Sequence, residues 1–204
     1  MSNVPTILIV PGLRDENAQH WQTLLETRLR AAGQRVISVA PMGRVDLACA
    51  PRVAAIERAA QFVEGPLVIV AHSGGVIMVA HWARQTRRRV LGALLATPPD
   101  FDLPLPGGYP TLNELRASGW LPVPRLPLPF PSIVAASHDD PLAGFDRVSE
   151  LAAAWGSRLV DLGEVGHLNP ASGYGEWPRA EALIEGLIEP RAAPAFSPSG
   201  AMVL

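Results

Sequence analysis

The chain has 204 residues, room for one domain with a sizeable core but cramped for two. Hydrophobic residues make up 48% and charged residues 18%, a balance that fits a globular protein and excludes a disordered one. The formal net charge of −2 supplies no long-range field to attract nucleic acid or an anionic membrane.

The first predicted strand is Thr6 to Val10, short, apolar and branched, and ended by Pro11-Gly12. From Gln19 to Ala32 the apolar residues Trp21, Leu24, Leu25 and Leu29 recur at helical spacing, and Gly33 can end the helix. Arg35 to Val39 reads as a second strand. Pro51 to Phe62 is a helix with Val53, Ile56 and Ala60 on one face and proline in its first turn. Pro66 leads into Leu67-Val68-Ile69-Val70-Ala71, the most strand-like run in the chain.

A helix from Gly75 to about Arg87 follows directly. The basic run Arg87-Arg88-Arg89 reads as its last turn, where cations complement the helix dipole. Strands are predicted at Val90 to Ala96, Ser132 to Ala136 and Leu159 to Leu162. Helices at about Asp146 to Trp155 and Pro178 to Ile188 fill the gaps between and after them. Alternating strands and helices predict an α/β protein: a three-layer α/β/α sandwich on a mostly parallel, doubly wound, six-stranded sheet.

Two segments break this rhythm. Thr97 to Pro131 is rich in proline and glycine, with one helical portion at Leu112 to Ala117, and is long enough to serve as a lid or binding loop. One domain is expected to span residues 1–189, with 190–204 a mobile tail. The single cysteine, Cys49, forms no intramolecular disulfide, and the N-terminus lacks the basic region and cleavage site of a signal peptide. No apolar stretch approaches the roughly 20 residues of a membrane span. A cytoplasmic location is the expectation.

The chemistry concentrates at Ala71-His72-Ser73-Gly74-Gly75, where the strongest strand meets a helix. In a nucleophile elbow a serine occupies such a turn, and small residues two before and two after it avoid collision with the neighbouring strand and helix. Glycine is usual at both positions, so Ala71 departs from the pattern by one methyl. The turn lifts Ser73 above the sheet's carboxyl edge and aims the Gly74 N–H at the same point as an oxyanion donor. A helix-capping serine is the plainer alternative. The loop after the first strand, Pro11-Gly12-Leu13-Arg14, offers the Leu13 N–H as second donor.

Of the five histidines, His20 and His81 fall in predicted helices and read as packing or surface residues. His72 should point away from Ser73, and His138 precedes the acid candidates. His167 stands apart, in a loop after the sixth strand with Gly166 directly before it. In a parallel sheet that loop opens on the same edge as the Ser73 turn, so a neutral imidazole there can take the serine proton and return it. The acid should follow an intervening strand, and Ser137-His138-Asp139-Asp140-Pro141 does so. Asp140 is preferred because Pro141 fixes the chain as it turns away, with Asp139 the alternative. The order Ser, Asp, His is that of α/β-hydrolases.

With these motifs in hand, the chain resembles the compact serine hydrolases related to the retinoblastoma-binding protein of hydrolase fold, particularly their bacterial members. The matching segments are Pro11-Gly12 with His20-Trp21-Gln22, Ala71 to Gly75, Ser137 to Pro141, and Gly166-His167-Leu168-Asn169 followed by Ser172-Gly173-Tyr174-Gly175-Glu176-Trp177-Pro178. They span most of the chain from Ile7 to Pro178, and the last block is the most specific string. The resemblance implies a capless α/β-hydrolase, a triad on Ser73, His167 and Asp140, and carboxylesterase-like action on a small-molecule acyl substrate without metal or cofactor. The proline-rich segment lies where larger relatives carry a cap, so substrate contacts are expected from Leu112, Trp120 and Leu121. The rival functions are a non-catalytic binding or scaffold protein on this fold, and an acyltransferase or peptidase. A flavodoxin-like nucleotide binder stands further off.

Overall fold

In the computed structural model, residues 4–15 and 17–189 are described. The six strands are β1 (Thr6–Val10), β2 (Arg35–Ser38), β3 (Leu67–His72), β4 (Val90–Ala96), β5 (Ser132–Ala136) and β6 (Arg158–Asp161). The helices are α1 (Trp21–Ala31), α2 (Cys49–Gln61), α3 (Gly74–Trp82), α4 (Leu112–Ala117), α5 (Phe145–Trp155) and α6 (Arg179–Ile188). The expected tail, 190–204, lies outside the described residues.

The strands form one sheet in the order β2-β1-β3-β4-β5-β6, and every neighbouring pair is parallel. Alternation along each strand feeds two cores. Leu8, Val10, Leu67, Ile69 and Ala71 face α2, α3, α4 and α5, while Ile7, Ile9, Val68 and Val70 face α1 and α6. Helix α3 is buried along almost its whole length, from Gly74 to Ala80 and again at Trp82. It packs on α2 and on the centre of the sheet, which explains why its sequence lacks a polar face.

This order decides where a site can form. The chain leaves β1 toward β2 at one side, then returns to build β3, β4, β5 and β6 outward on the other. The loops after β1 and β3 therefore diverge, and a crevice opens between them at the carboxyl ends of the strands. Gly12 and Leu13 stand on one side of it and Ser73 on the other.

The element boundaries depart from expectation mainly around α3. The helix ends at Trp82, five residues before Arg87, so the arginine run is not its final turn. Arg88 instead donates to the carbonyls of Val63 and Gly65, tying the α2–β3 turn to the start of β4. Helix α2 begins at Cys49, two residues ahead of Pro51. Its missing N–H still falls among the unpaired donors of the first turn.

Candidate active site

Ser73 has φ 55° and ψ −133°, a backbone conformation that costs about 1–3 kcal/mol for a residue with a side chain. Close packing holds it there. A Cβ on Gly75 would meet the carbonyl oxygens of Val10 and Pro11 at 2.6 Å, so the helix can approach β1 only with glycine at that position. A Cβ on Gly12 would meet the Ser73 Cβ at 2.8 Å. On the other flank, Ala71 is fully buried in β3 and the sheet accommodates its methyl. The elbow thus forms despite the departure from glycine.

Ser73 makes no side-chain capping bond to α3, so its hydroxyl is not engaged as a helix cap. Its Oγ lies 2.8 Å from Nε2 of His167. His167 Nδ1 lies 2.8 Å and 3.0 Å from the two carboxylate oxygens of Asp140. Both side chains are buried, at 5% and 2% exposure, so this pair lies away from bulk water. Asp140 also accepts from the Leu142 N–H at 2.9 Å, which fixes the carboxylate against the turn at Pro141.

Asp139 points elsewhere. It accepts the Ser137 hydroxyl at 2.7 Å and the Gly166 N–H at 2.6 Å, and Ser137 Oγ in turn accepts the Val165 N–H at 3.1 Å. The Ser137 and Gly166 donors hold the Asp139 carboxyl below the usual carboxylate range. Asp139 is therefore a clamp on the loop that carries His167. The rest of that loop is equally tied. Gly166 has φ 53° with the Ser172 hydroxyl against it, and the His167 N–H donates to Ser172 Oγ at 3.0 Å. Ser172 N–H donates to the Asn169 side chain at 2.9 Å.

The two expected oxyanion donors come together. Leu13 packs on Gly74, where an added Cβ would lie 3.6 Å from the Leu13 nitrogen. Neither the Leu13 N–H nor the Gly74 N–H has an acceptor among the described residues. Two unengaged backbone donors thus flank Ser73, one at the start of a helix where the dipole favours negative charge.

Two further histidines belong to this region. His72 turns away from the Ser73 hydroxyl, and its Nε2–H donates to the His167 carbonyl at 3.0 Å, bracing His167 from behind. His20, expected to be a packing or surface residue within a helix, is instead the N-cap of α1. Its Nδ1 accepts the Gln22 N–H at 3.2 Å and its ring lines the Ser73 cleft. Gln22 reaches on to donate to the carbonyls of Val10 and Val70, joining the ends of β1 and β3. The segment His20-Trp21-Gln22 is thus a support for the crevice, a role that only its long-range contacts reveal.

Burial holds both histidines neutral: it lowers the His20 pKa to about 3, aided by nearby Arg14, and pushes that of His72 well below 6.5. The unfolded chain binds these protons below about pH 6.5 and the native protein does not, so stability must rise with pH across that window. Between pH 6.5 and 5 the expected loss is up to about 1.4 kcal/mol per pH unit per histidine. Urea denaturation across this range checks it, and His20→Asn should flatten the slope. An unchanged slope in that variant would refute the assignment.

The cleft itself has a volume of about 380 Å³ and is lined by Ser73 and His167 together with Gly12, Leu13, Arg14, Arg44, Tyr109 and Asn169. The expected substrate contacts do not line it. Trp120 is fully buried, donates its indole N–H to the Leu47 carbonyl at 2.7 Å and packs edge-on against Phe101, as a core residue. Leu112 and Leu121 border a separate surface groove with Asp102, Arg116 and Pro122. From the proline-rich segment it is Tyr109 that reaches the cleft. Among the described residues, no group of three or more His, Cys, Asp or Glu is arranged to hold a metal ion.

Comparison with known proteins agrees with this architecture. The serine hydrolase family model matches residues 7–186. A YdeN-like hydrolase from Pectobacterium atrosepticum is 31% identical, with 90% of this chain and 91% of that one aligned at a TM-score of 0.72. The ydeN gene product of B. subtilis is 18% identical over 90% of this chain and 98% of its own, also at a TM-score of 0.72. The thioesterase domain from the curacin biosynthetic pathway shares the fold, at 15% identity, 91% and 92% coverage and a TM-score of 0.60. No curated protein sequence matches the chain. With the family model covering nearly all of the sheet and its crevice, the chain belongs to the serine hydrolase family, on an α/β-hydrolase fold.

Proposed function

We propose that the protein hydrolyses a carboxylic ester, or a related acyl bond, of a small molecule through a Ser73–His167–Asp140 triad. The observation that carries this reading is the continuous chain of contacts from Asp140 through His167 to Ser73, 2.8 Å at each link. Ser73 Oγ attacks the acyl carbonyl as His167 Nε2 accepts its proton. Asp140 accepts from Nδ1–H and stabilises the imidazolium that forms. The Leu13 and Gly74 N–H groups receive the oxyanion. His167 then protonates the leaving group, and a water activated by the same imidazole releases the acyl group from Ser73.

The carboxylesterase-like assignment, the placement near the retinoblastoma-binding-protein type of serine hydrolase and a cytoplasmic location are parts of this proposal. Its partner is a small-molecule acyl substrate; neither nucleic acid, membrane nor cofactor enters it. What supports cytoplasmic residence is a single buried cysteine, and no helix among the described residues is long and apolar enough to cross a membrane.

The test is labelling of the purified protein with a fluorophosphonate, followed by peptide mass mapping. An adduct on Ser73 that disappears in His167→Ala is the expected result. Folded protein that gives no adduct would mean an unactivated serine, and a binding role for the fold would replace this one.

A further inference from the structure

Two arginines stand on the outer wall of the Ser73 cleft. Arg14 comes from the loop after β1 and Arg44 from the loop between β2 and α2, and both line the cleft. Among the described lining residues the carboxylate is Asp15, and its side chain is turned against Gly43, where an added Cβ would meet its Oδ1 at 2.6 Å. Arg44 lies over the Tyr109 ring, 5.6 Å from its centroid, and donates to the Gly108 carbonyl at 2.7 Å. Among the described residues no carboxylate pairs with Arg44. A guanidinium has five N–H donors, so the bond to Gly108 leaves most of its hydrogen-bonding capacity available.

The loop that presents Arg44 is held from beneath. Arg52, 1% exposed, directs its guanidinium at the carbonyls of Met42, Gly43 and Asp46. Burying that cation is costly, and the three carbonyls offset the cost while fixing the turn. Gly43, at φ +57°, permits the fold of the loop. Arg44 is exposed, and the aromatic ring below it and the buried arginine behind its loop hold it at the mouth of the cleft.

A second observation comes from His20. Its Nδ1 accepts a backbone N–H, so its proton sits on Nε2. That Nε2 is buried and has no partner among the described residues, while the ring lines the same cleft. A buried donor without an acceptor costs about 1–3 kcal/mol, which an acceptor-bearing ligand would relieve.

We propose that this cleft selects acyl substrates that carry a second, anionic group, a carboxylate received by Arg44, with the His20 Nε2–H donating to a substrate oxygen. The proposal rests on the serine hydrolase reading of Ser73. Guanidinium is suited to it because its planar fork matches a carboxylate in two parallel hydrogen bonds.

Two matched substrate pairs test it. On the acyl side the pair is para-nitrophenyl adipate and para-nitrophenyl hexanoate. On the leaving-group side it is para-carboxyphenyl hexanoate and para-carbamoylphenyl hexanoate. In at least one pair the wild-type kcat/KM should favour the anionic member by about tenfold, the equivalent of one charge-assisted contact in a partly wetted site. The preference should narrow as salt is raised. It should fall toward one in Arg44→Gln, which can still donate to Gly108 but has lost the charge, and survive largely in Arg44→Lys. A wild-type ratio of one or below in both pairs would overturn the proposal, as would persistence of the preference in Arg44→Gln. If neither member of either pair is turned over, it is the hydrolase reading that fails. The anion proposal is then decided by titrating the intact esters into Ser73→Ala, where an equal Kd for charged and neutral members would overturn it.

Discussion

Replacing Ser73 by alanine is expected to lower kcat on a small activated ester by about 10⁶, the loss seen when a triad hydrolase is deprived of its nucleophile. The geometry makes this a loss of chemistry with little loss of fold. The Ser73 side chain caps nothing in α3, and its partner is the His167 imidazole. Its N–H donates to the Ala96 carbonyl at 3.0 Å, a bond that alanine keeps. The melting temperature should therefore stay within a few degrees of wild type or rise, since a strained catalytic residue is often a stability cost. His167→Ala should lose nearly as much activity, and the double variant scarcely more, because the two groups act as one unit. Residual turnover of about 10³ over water is expected in all three, because the Leu13 and Gly74 N–H groups are backbone and survive the substitutions. Near-normal steady-state hydrolysis by both single variants would refute the triad.

The parts of this site that local sequence could reveal are those fixed by short-range rules. The strand–turn–helix at Ser73, the turn at Asp140-Pro141 and the glycine before His167 each carry their own backbone signature. Their order along a parallel sheet then places them on one edge. The strands β1, β4 and β5 and helix α4 fall on their expected residues for the same reason. Helix α3 shows the limit. Its apolar pattern extends naturally toward Arg87, yet Arg88 is recruited by carbonyls of the α2–β3 turn, and nothing local encodes that pull. The cleft wall shows it again. Arg44 meets Gly108 and Tyr109 across 64 and 65 residues of chain, and His20 meets His72 through the packing of α1 onto β3. As a large aromatic in a proline-rich loop, Trp120 reads in sequence as a substrate contact. Its indole N–H finds the carbonyl of half-buried Leu47 instead, so the ring satisfies its one donor and stays in the core.

The adjacent aspartates offer the sharpest separation of roles, because the same substitution should act on them very differently. Asp140→Asn is expected to lower kcat by about 10⁴ on a neutral ester, with KM little changed. The amide can turn its NH₂ toward His167 Nδ1 and so stabilise the tautomer whose proton faces Ser73, which disables the base. It also cannot offset the positive charge that forms on the imidazole. Asp139→Asn should cost less than tenfold, since its amide oxygen can accept from both the Ser137 hydroxyl and the Gly166 N–H as the carboxylate does. Asp139→Ala should be worse than Asp139→Asn, losing both acceptor bonds and loosening the loop that carries His167. That loss should register in the thermal melt as well as in kcat, whereas Asp140→Asn should register in kcat alone. Parallel kcat and melting measurements on the three variants decide the matter. If Asp139→Asn proved the more damaging of the two asparagine substitutions, the carboxylate serving His167 in solution would be Asp139, and the loop would have to rearrange to bring it there.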